Sequence, residues 1–453
     1  MNAEMLEELK SQAISILESK DQLKLNAYTN SMRPYDRAMV FEELQDAQQK
    51  RAFVESLEIN CLAELLRYLS PEEQAIAISF IDQANLGKVL DEMPNDDLAE
   101  MLDVLQQDQA AALVHVMSKE EAQIVQDIMT YPAESAGRLM TNRHVWIYPD
   151  MTVHESIEKL REYAKVFDTI HYLYVVDEEH KLLGAASFRD LLLADPADPI
   201  EQIMSKNTIT VKSYVDQEEV ARLIEQYDLI AMPVVNEEDI LLGIVTVDDV
   251  IDVLIQEATE DIERLSGSGK EITFKTKAVV AFVRRLPWLV LLLLIGLVSG
   301  TIISRFEETL AAVVALAFFM PMIAGMTGNT GTQSLAVVVR GLTTNRIDKK
   351  TVSKLIIRES LVGVMIGVSC GILIALIAYF WQGSMTLGFI VGLSLLITLV
   401  FGTLAGTIIP LILHKFNVDP AIASGPLITT LNDILSLLIY FGIATSLIAR
   451  FPL

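Results

Sequence analysis

Asp433 lies about a dozen residues into an apolar run, GPLITTLNDILSLLIYF. An ionisable group at that depth in a membrane segment costs several kcal/mol unless it faces water, an ion or a partner. A salt bridge would need a base at comparable depth, and only Arg340, near the end of another apolar run, comes close. Asp433 therefore points to a cation path. A second run, PMIAGMTGNTGTQS from Pro321 to Ser334, interrupts apolar sequence with glycines and with Asn329, Thr330, Thr332 and Gln333. Small residues allow close helix packing, which alone would explain the glycines. Asn329 and Gln333, four apart on one helical face, add amide oxygens able to hold hydration water and suggest a pore lining. A third string, DPAIASGP, places Asp419 beside Pro420 and Pro426, whose fixed backbones leave first-turn carbonyls free.

Five apolar stretches must position these groups, at roughly 286–304, 310–342, 355–380, 386–413 and 421–449. Each is long enough for a bilayer, which takes about 20 helical residues. Basic residues fix the orientation. Arg284 and Arg285 precede the first stretch, Arg346, Lys349, Lys350 and Lys354 follow the second, and Lys415 follows the fourth. The alternate loops carry Arg305 beside Glu307 and Glu308, or no charge at all in WQGSM. The expectation is an N-terminus inside and a C-terminus outside. The opening MNAEMLEELKSQA has no basic region before an apolar core, so no signal peptide is expected and the polar half stays cytoplasmic.

The 453 residues are 51% hydrophobic, too long and too apolar for one soluble domain. The formal net charge of −25 is unevenly spread: six acids face twelve bases after residue 275, leaving −31 on the part before it. Such a surface repels nucleic acid and attracts cations, hard oxygen-seeking ones in particular. Cys61 and Cys370 show no metal-ligand spacing and argue against a disulfide scaffold.

From Glu4 to about Met129 the apolar spacing is that of short stacked helices, as in LAELLRYL and DDLAEMLDVL. Acids cluster there at Asp96, Asp97, Glu100 and Asp103, with Asp96 and Glu100 on one face; a solvated helix face is the plainer reading. The middle third is a repeat. VVDEEHKLLGAASFRDLL (Val175 to Leu192) returns 59 residues later as VVNEEDILLGIVTVDDVI (Val234 to Ile251), and RLMT and QIMS precede the two copies. Each copy reads strand, amphipathic helix, strand pair, helix. The pair resembles tandem CBS domains, most specifically in the GxxSxxD and GxxTxxD strings at Gly184 and Gly243. An acidic helix, VLIQEATEDIERLSGSGK, then leads through a Ser/Gly turn toward the apolar half.

RxPWL, PxxxxxxGNxGxQS and DPAxxSxPxxxTLxD, behind tandem CBS repeats and an acidic helical region, resemble the MgtE family of magnesium channels over essentially the whole chain. That resemblance implies a multidomain membrane protein with these parts: an all-α superhelical domain (1–130), two α/β CBS domains (131–200 and 201–254), a connecting plug helix and linker (255–283) and an all-α five-helix transmembrane domain (284–453). It implies a homodimer in a bacterial plasma membrane. Its activity would be inward, potential-driven magnesium transport, closed by intracellular magnesium and modulated by ATP. Asp433 would be the selectivity acid, paired with its copy in the other subunit. Asp419 would be a cytoplasmic-side metal ligand, and Glu257, Glu260 and Asp261 would belong to the plug. Regulatory magnesium ligands would be Asp96, Glu100, Glu218, Asp228, Asp249 and Asp252, and an ATP site would use Tyr172, Arg189 and Asp190. Gly425 stands where some members carry Asn, which removes a polar side chain at the filter.

Magnesium gives up its waters reluctantly and usually takes one or two carboxylates, which suits two Asp433 side chains and nearby carbonyls. No Walker sequence is present and no ATPase is required. Three other readings compete. An ion-coupled transporter of divalent cations has only one intramembrane acid to work with. An intramembrane aspartyl protease would need two carboxylates sharing a proton. A nonconducting nucleotide sensor leaves the polar motif of the second stretch unexplained.

Overall fold

The computed structural model describes residues 3–19, 21–105, 107–163, 172–267, 272, 276–344, 349–416 and 418–450. Ala164, Arg346 and the Ser/Gly turn at 268–270 lie outside the described residues. The chain divides into two compact units, Met1–Leu254 and Ile255–Leu453.

The first unit begins with short helices, from Ala3–Ser19 to Lys119–Met129, most of about ten residues. Their starts are written locally. Asp21, Asp46 and Ser118 accept hydrogen bonds from backbone N–H groups of the first turns, and Pro34 and Pro71 occupy first helical positions, where the missing N–H is no loss. The helices bury one continuous core that includes Phe41, Phe53, Leu65, Leu66, Leu90 and Met93. Arg37 lies inside it, donating to the carbonyls of Thr29, Met32 and Cys61 and to Glu64, so its charge is neutralised and its donors are used.

Both repeats form a three-stranded sheet. In the first, Val145–Ile147 pairs parallel with Tyr172–Val176, which pairs antiparallel with Leu182–Ser187. In the second, Val211–Lys212, Ala231–Val235 and Leu241–Thr246 repeat this pattern, and the register shifts at equivalent places, Val175/Val176 and Val234/Val235. The lead-in of each copy pairs with the last strand of the other: Thr141 bridges Ile244 and Ser205 bridges Ala185. This exchange explains the motif glycines. A Cβ on Gly184 would meet the Ser205 carbonyl oxygen at 2.5 Å, and one on Gly243 the Thr141 carbonyl oxygen at 2.7 Å. The Ser and Asp of GxxSxxD form a reciprocal helix cap, with Ser187 Oγ accepting from Asp190 N and Asp190 Oδ2 from Ser187 N. In the second copy Thr246 Oγ1 donates to the Asp249 carboxylate.

The second unit is helical: Ala278–Arg305, Glu307–Ala312, Leu316–Thr344, Lys349–Gln382, Met385–Lys415 and Gly425–Ile448, with a 3-10 turn at Pro420–Ile422. Four of these are long and apolar enough to cross a membrane; Leu316–Thr344, which carries the polar motif, falls outside that set. The expected second stretch of 310–342 is corrected: the short helix Glu307–Ala312 ends inside it, residues 313–315 are not helical, and the long helix runs from Leu316 to Thr344. Glycines set the packing. Lys349–Gln382 and Met385–Lys415 turn back on one another at Gly383 (φ +69°), and Gly371 and Gly392 face each other's backbones. Tyr440 Oη donates to the Leu316 carbonyl at 2.8 Å and ties the last helix to the start of Leu316–Thr344.

Candidate ion path and acidic sensor

In the second unit the last helix brings Asn432 and Asp433 to different surroundings. Asn432 is fully buried; its Nδ2 donates to the Thr327 carbonyl at 3.3 Å, and its Oδ1 has no hydrogen-bond partner. The Cβ positions of Gly331 and Gly402 abut the same Asn432 amide, so helices Leu316–Thr344, Met385–Lys415 and Gly425–Ile448 converge on it. Asp433, one residue on, is half-buried. Asn329 and Gln333 are exposed, on a face of Leu316–Thr344 that also exposes Met322, Met326, Val337 and Arg340. A polar pair on an exposed helix face that is otherwise apolar up to Arg340 is an arrangement that can hold water or a hydrated ion. Glu359 is a second buried acid: Oε2 accepts from Ser334 Oγ at 3.1 Å and Oε1 from Arg358 Nη2 at 2.8 Å.

Asp419 caps the 3-10 turn, accepting from Ala421 N at 2.8 Å, and forms an ion pair with Arg264. Arg264 also pairs with Glu260, one turn back on the acidic helix Val247–Ser266. Leu265 packs against Leu335, Val339, Ala421, Ala423 and Ile428. Gly267, at φ +76°, ends the helix against the Trp288 indole of RLPWL. Of the proposed plug acids, Glu257, Glu260 and Asp261 are all partly buried, and burial together with Glu257 holds the Asp261 carboxyl above its ordinary range.

The first unit gathers acids from two distant segments. Asp96, Asp97 and Glu100 come from the helix Asn95–Val104, and Asp249 and Asp252 from the start of Val247–Ser266. Desolvation, then the charge of Asp96, pushes Asp97 up to about 8 and Asp249 up to about 7. Asp96 is also raised by burial, with an Oδ1 that receives no hydrogen bond, and Glu100 is raised by burial and by Asp252. Arg67 offsets part of this repulsion from Ile59–Tyr68. Glu218 and Asp228 are not among the charges that act most strongly on these carboxyls. Glu218 instead sits in the first turn of Gln217–Gln226, and Asp228 follows that helix with φ +51°. Among the described residues no three His, Cys, Asp or Glu side chains close on a common point as direct ligands. The junction suits an ion that keeps waters between itself and the protein.

The three proposed nucleotide residues lie near one end of the first sheet, Tyr172 opening its central strand and the other two just after its last strand. Tyr172 is paired in register with Ser187, and Arg189 and Asp190 follow in the capped helix Phe188–Leu193. Arg189 is exposed and free to meet a phosphate, whereas the Asp190 carboxylate already accepts from Ser187.

The family profile described as a divalent cation transporter, MgtE, matches residues 320–443, and the MgtE intracellular N domain matches 32–134. CBS domains match 136–197 and 200–256. The chain is 53% identical to the magnesium transporter MgtE of Bacillus subtilis, across 92% of its own length and 93% of the relative's. The chain belongs to the MgtE family. With the MgtE of Thermus thermophilus it shares 37% identity over 98% of its own length and 99% of the relative's. A solved structure aligns with about half of the chain. This structure, the cytosolic domain of the Mg2+ channel MgtE in complex with ATP, aligns with 54% of this chain and 99% of its own at a TM-score of 0.52 and 36% identity. The fold class read from the motifs is that of this family: a helical N-terminal part, tandem CBS domains and a C-terminal region of apolar helices.

Within this MgtE chain, sequence reasoning passed over Arg67, Arg264, Glu359 and Asn432. Arg67 and Arg264 carry no motif. Glu359 sits near the basic start of its stretch and reads as an end residue. Asn432 carries a signal, an amide beside Asp433 in an apolar run, but a neutral side chain there costs less than the neighbouring charge and stands out less.

Proposed function

We propose that this chain is one subunit of a homodimeric magnesium channel whose cytoplasmic part closes the pore when intracellular magnesium is high. The names of its full-length relatives support the ion. The observation that carries the pore is Asp433 in an apolar helix packed against Leu316–Thr344, which exposes Asn329 and Gln333. In this reading two Asp433 carboxylates, one from each subunit, hold a hydrated ion at the two-fold axis. A membrane potential of about 100 mV adds roughly 4.6 kcal/mol to inward movement of a divalent cation, so no coupled ion is needed. The N-terminus is cytoplasmic and the C-terminus outside.

Residues 1–130, 131–200 and 201–254 form the sensor, 255–283 the plug and linker, and 284–453 the pore. At low magnesium the carboxylates of Asp96, Glu100, Asp249 and Asp252, with Glu218 and Asp228 on the second repeat, repel and favour a spread state. Bridging ions favour the compact state, and the plug acids Glu257, Glu260 and Asp261 come with Asp419 to the pore mouth. This is feedback by differential binding to one conformation. ATP at Tyr172, Arg189 and Asp190 modulates that balance; the solved ATP complex of a related cytosolic domain supports the ligand.

Patch-clamp recording from the purified protein in liposomes tests the reading, with magnesium stepped on the cytoplasmic face and Asp433→Ala beside wild type. Magnesium current that falls as cytoplasmic magnesium rises, and is lost in the variant, is expected. Absence of current, with uptake that requires a proton or sodium gradient, would place the protein among coupled transporters instead.

A further inference from the structure

Arg67 ends the helix Ile59–Tyr68 and reaches into the acidic junction of the N-terminal unit. Its Nε lies 2.9 Å from Asp97 Oδ2, and Nη2 lies 3.7 Å from Asp249 Oδ1 and 3.8 Å from Asp248 Oδ2. The guanidinium centre sits 5.7 Å from the Tyr68 ring, which holds it near these acids by a cation–π contact. Two features make the arrangement displaceable. Asp97 Oδ2, although beside the guanidinium, receives no well-directed hydrogen bond, and neither does the buried Asp96 Oδ1. Among the described residues Arg67 is the positive charge that acts most strongly on Asp96, Asp97 and Asp249, which are otherwise acted on by Glu100, Asp248 and one another. A guanidinium keeps its proton at any working pH, so its charge is permanent. A diffusing divalent cation at this junction would seek the same oxygens.

We propose that Arg67 is a tethered counter-ion that competes with the regulatory divalent cation for Asp97 and Asp249, and thereby raises the concentration of cytoplasmic magnesium to which the sensor responds. The inference rests on the reading above that magnesium binds this junction. It adds a threshold-setting residue that is not itself a ligand. Because the competitor is attached to the chain, its effective concentration is fixed, and only the free ion concentration decides which cation holds the carboxylates.

Full-length protein in detergent, stripped with EDTA and titrated with magnesium chloride, tests this. Hydrogen exchange of the helix Asn95–Val104 is the readout, for wild type, Arg67→Gln and Arg67→Lys. Removing one positive charge beside the ion is expected to lower the magnesium midpoint about tenfold in Arg67→Gln. Arg67→Lys, which keeps the charge, should stay within about twofold of wild type and separates charge from lost packing. A midpoint in Arg67→Gln that is unchanged or raised, with magnesium protection present in wild type, overturns the inference alone. Absence of any magnesium-dependent protection in wild type overturns both the inference and the reading it rests on.

Discussion

Arg264 forms an ion pair with Asp419, joining the end of the acidic helix to the residue that caps the turn before the last membrane helix. The residues between them number well over a hundred, so the contact exists only in the folded second unit. Arg264 is held in turn by Glu260, and Leu265 packs beside it into the cluster of Leu335, Ala423 and Ile428. A positive group at Asp419 ties the plug to the bundle without any metal. Arg264→Gln is therefore expected to weaken closure, moving half-inhibition of the current to higher cytoplasmic magnesium by about twofold to fivefold, the effect of a partly exposed ion pair. Patch-clamp titration measures it; an unchanged midpoint would show that the pair contributes nothing to closure.

Gly331 tests whether Asn432 organises the bundle. A Cβ there would lie 2.0 Å from Asn432 Nδ2, whereas one on Gly325 meets nothing within 4 Å. Gly331→Ala must displace the buried amide and is expected to cost about 1–3 kcal/mol, with loss of magnesium uptake. Gly325→Ala on the same helix should leave thermal stability in detergent unchanged. Equal behaviour of the two variants would remove Asn432 from this role.

Gly425, where some family members carry Asn, has room for a Cβ. An added Cβ would meet only Leu265 O at 3.5 Å and Thr332 Cγ2 at 3.6 Å, ordinary contact distances. Gly425→Asn should therefore fold with wild-type thermal stability while placing an amide near the start of the last helix. A change in the ratio of magnesium to cobalt uptake without a change in stability is the expected outcome.

His144 gives the N-terminal unit a pH dependence. It is buried against Tyr174, with Nδ1 lacking a partner, and burial, aided by the nearby His180, lowers its pKa to about 4. The unfolded chain, with an ordinary value near 6.5, binds the proton that the folded state refuses. The contribution to stability is thus complete above about pH 6.5 and is lost as pH falls toward 4, by about 3 kcal/mol in all. His144→Phe lacks this dependence. The raised carboxyls of Asp97 and Asp249 shift stability in the opposite direction, but in both proteins alike, so denaturant unfolding of the pair between pH 7 and 4.5 isolates the histidine. Parallel curves would contradict its buried neutral state.

The sequence alone determined what depends on local pattern. The 59-residue repeat, the helical spacing of the acidic region and the long apolar runs are properties of neighbours along the chain, and hydropathy and periodicity report them directly. Asp433 was visible because a charge in an apolar run is costly wherever the run folds. The glycine of GxxSxxD was visible as a motif, but its reason, the carbonyl of Ser205 pressed against Gly184, belongs to the exchange between repeats.

Tertiary structure decided the rest. Arg67 meets Asp97 and Asp249 from another part of the chain, Asn432 reaches Thr327, and Ser334 reaches Glu359. Asp96 and Asp97 look solvated on a helical wheel, yet the acids of the second repeat crowd them and burial raises their pKa values. Electrostatic and packing energies depend on distance in space, and a sequence records distance along the chain. A one-dimensional pattern can therefore supply charges and helices, while only the fold determines which charges must share an ion.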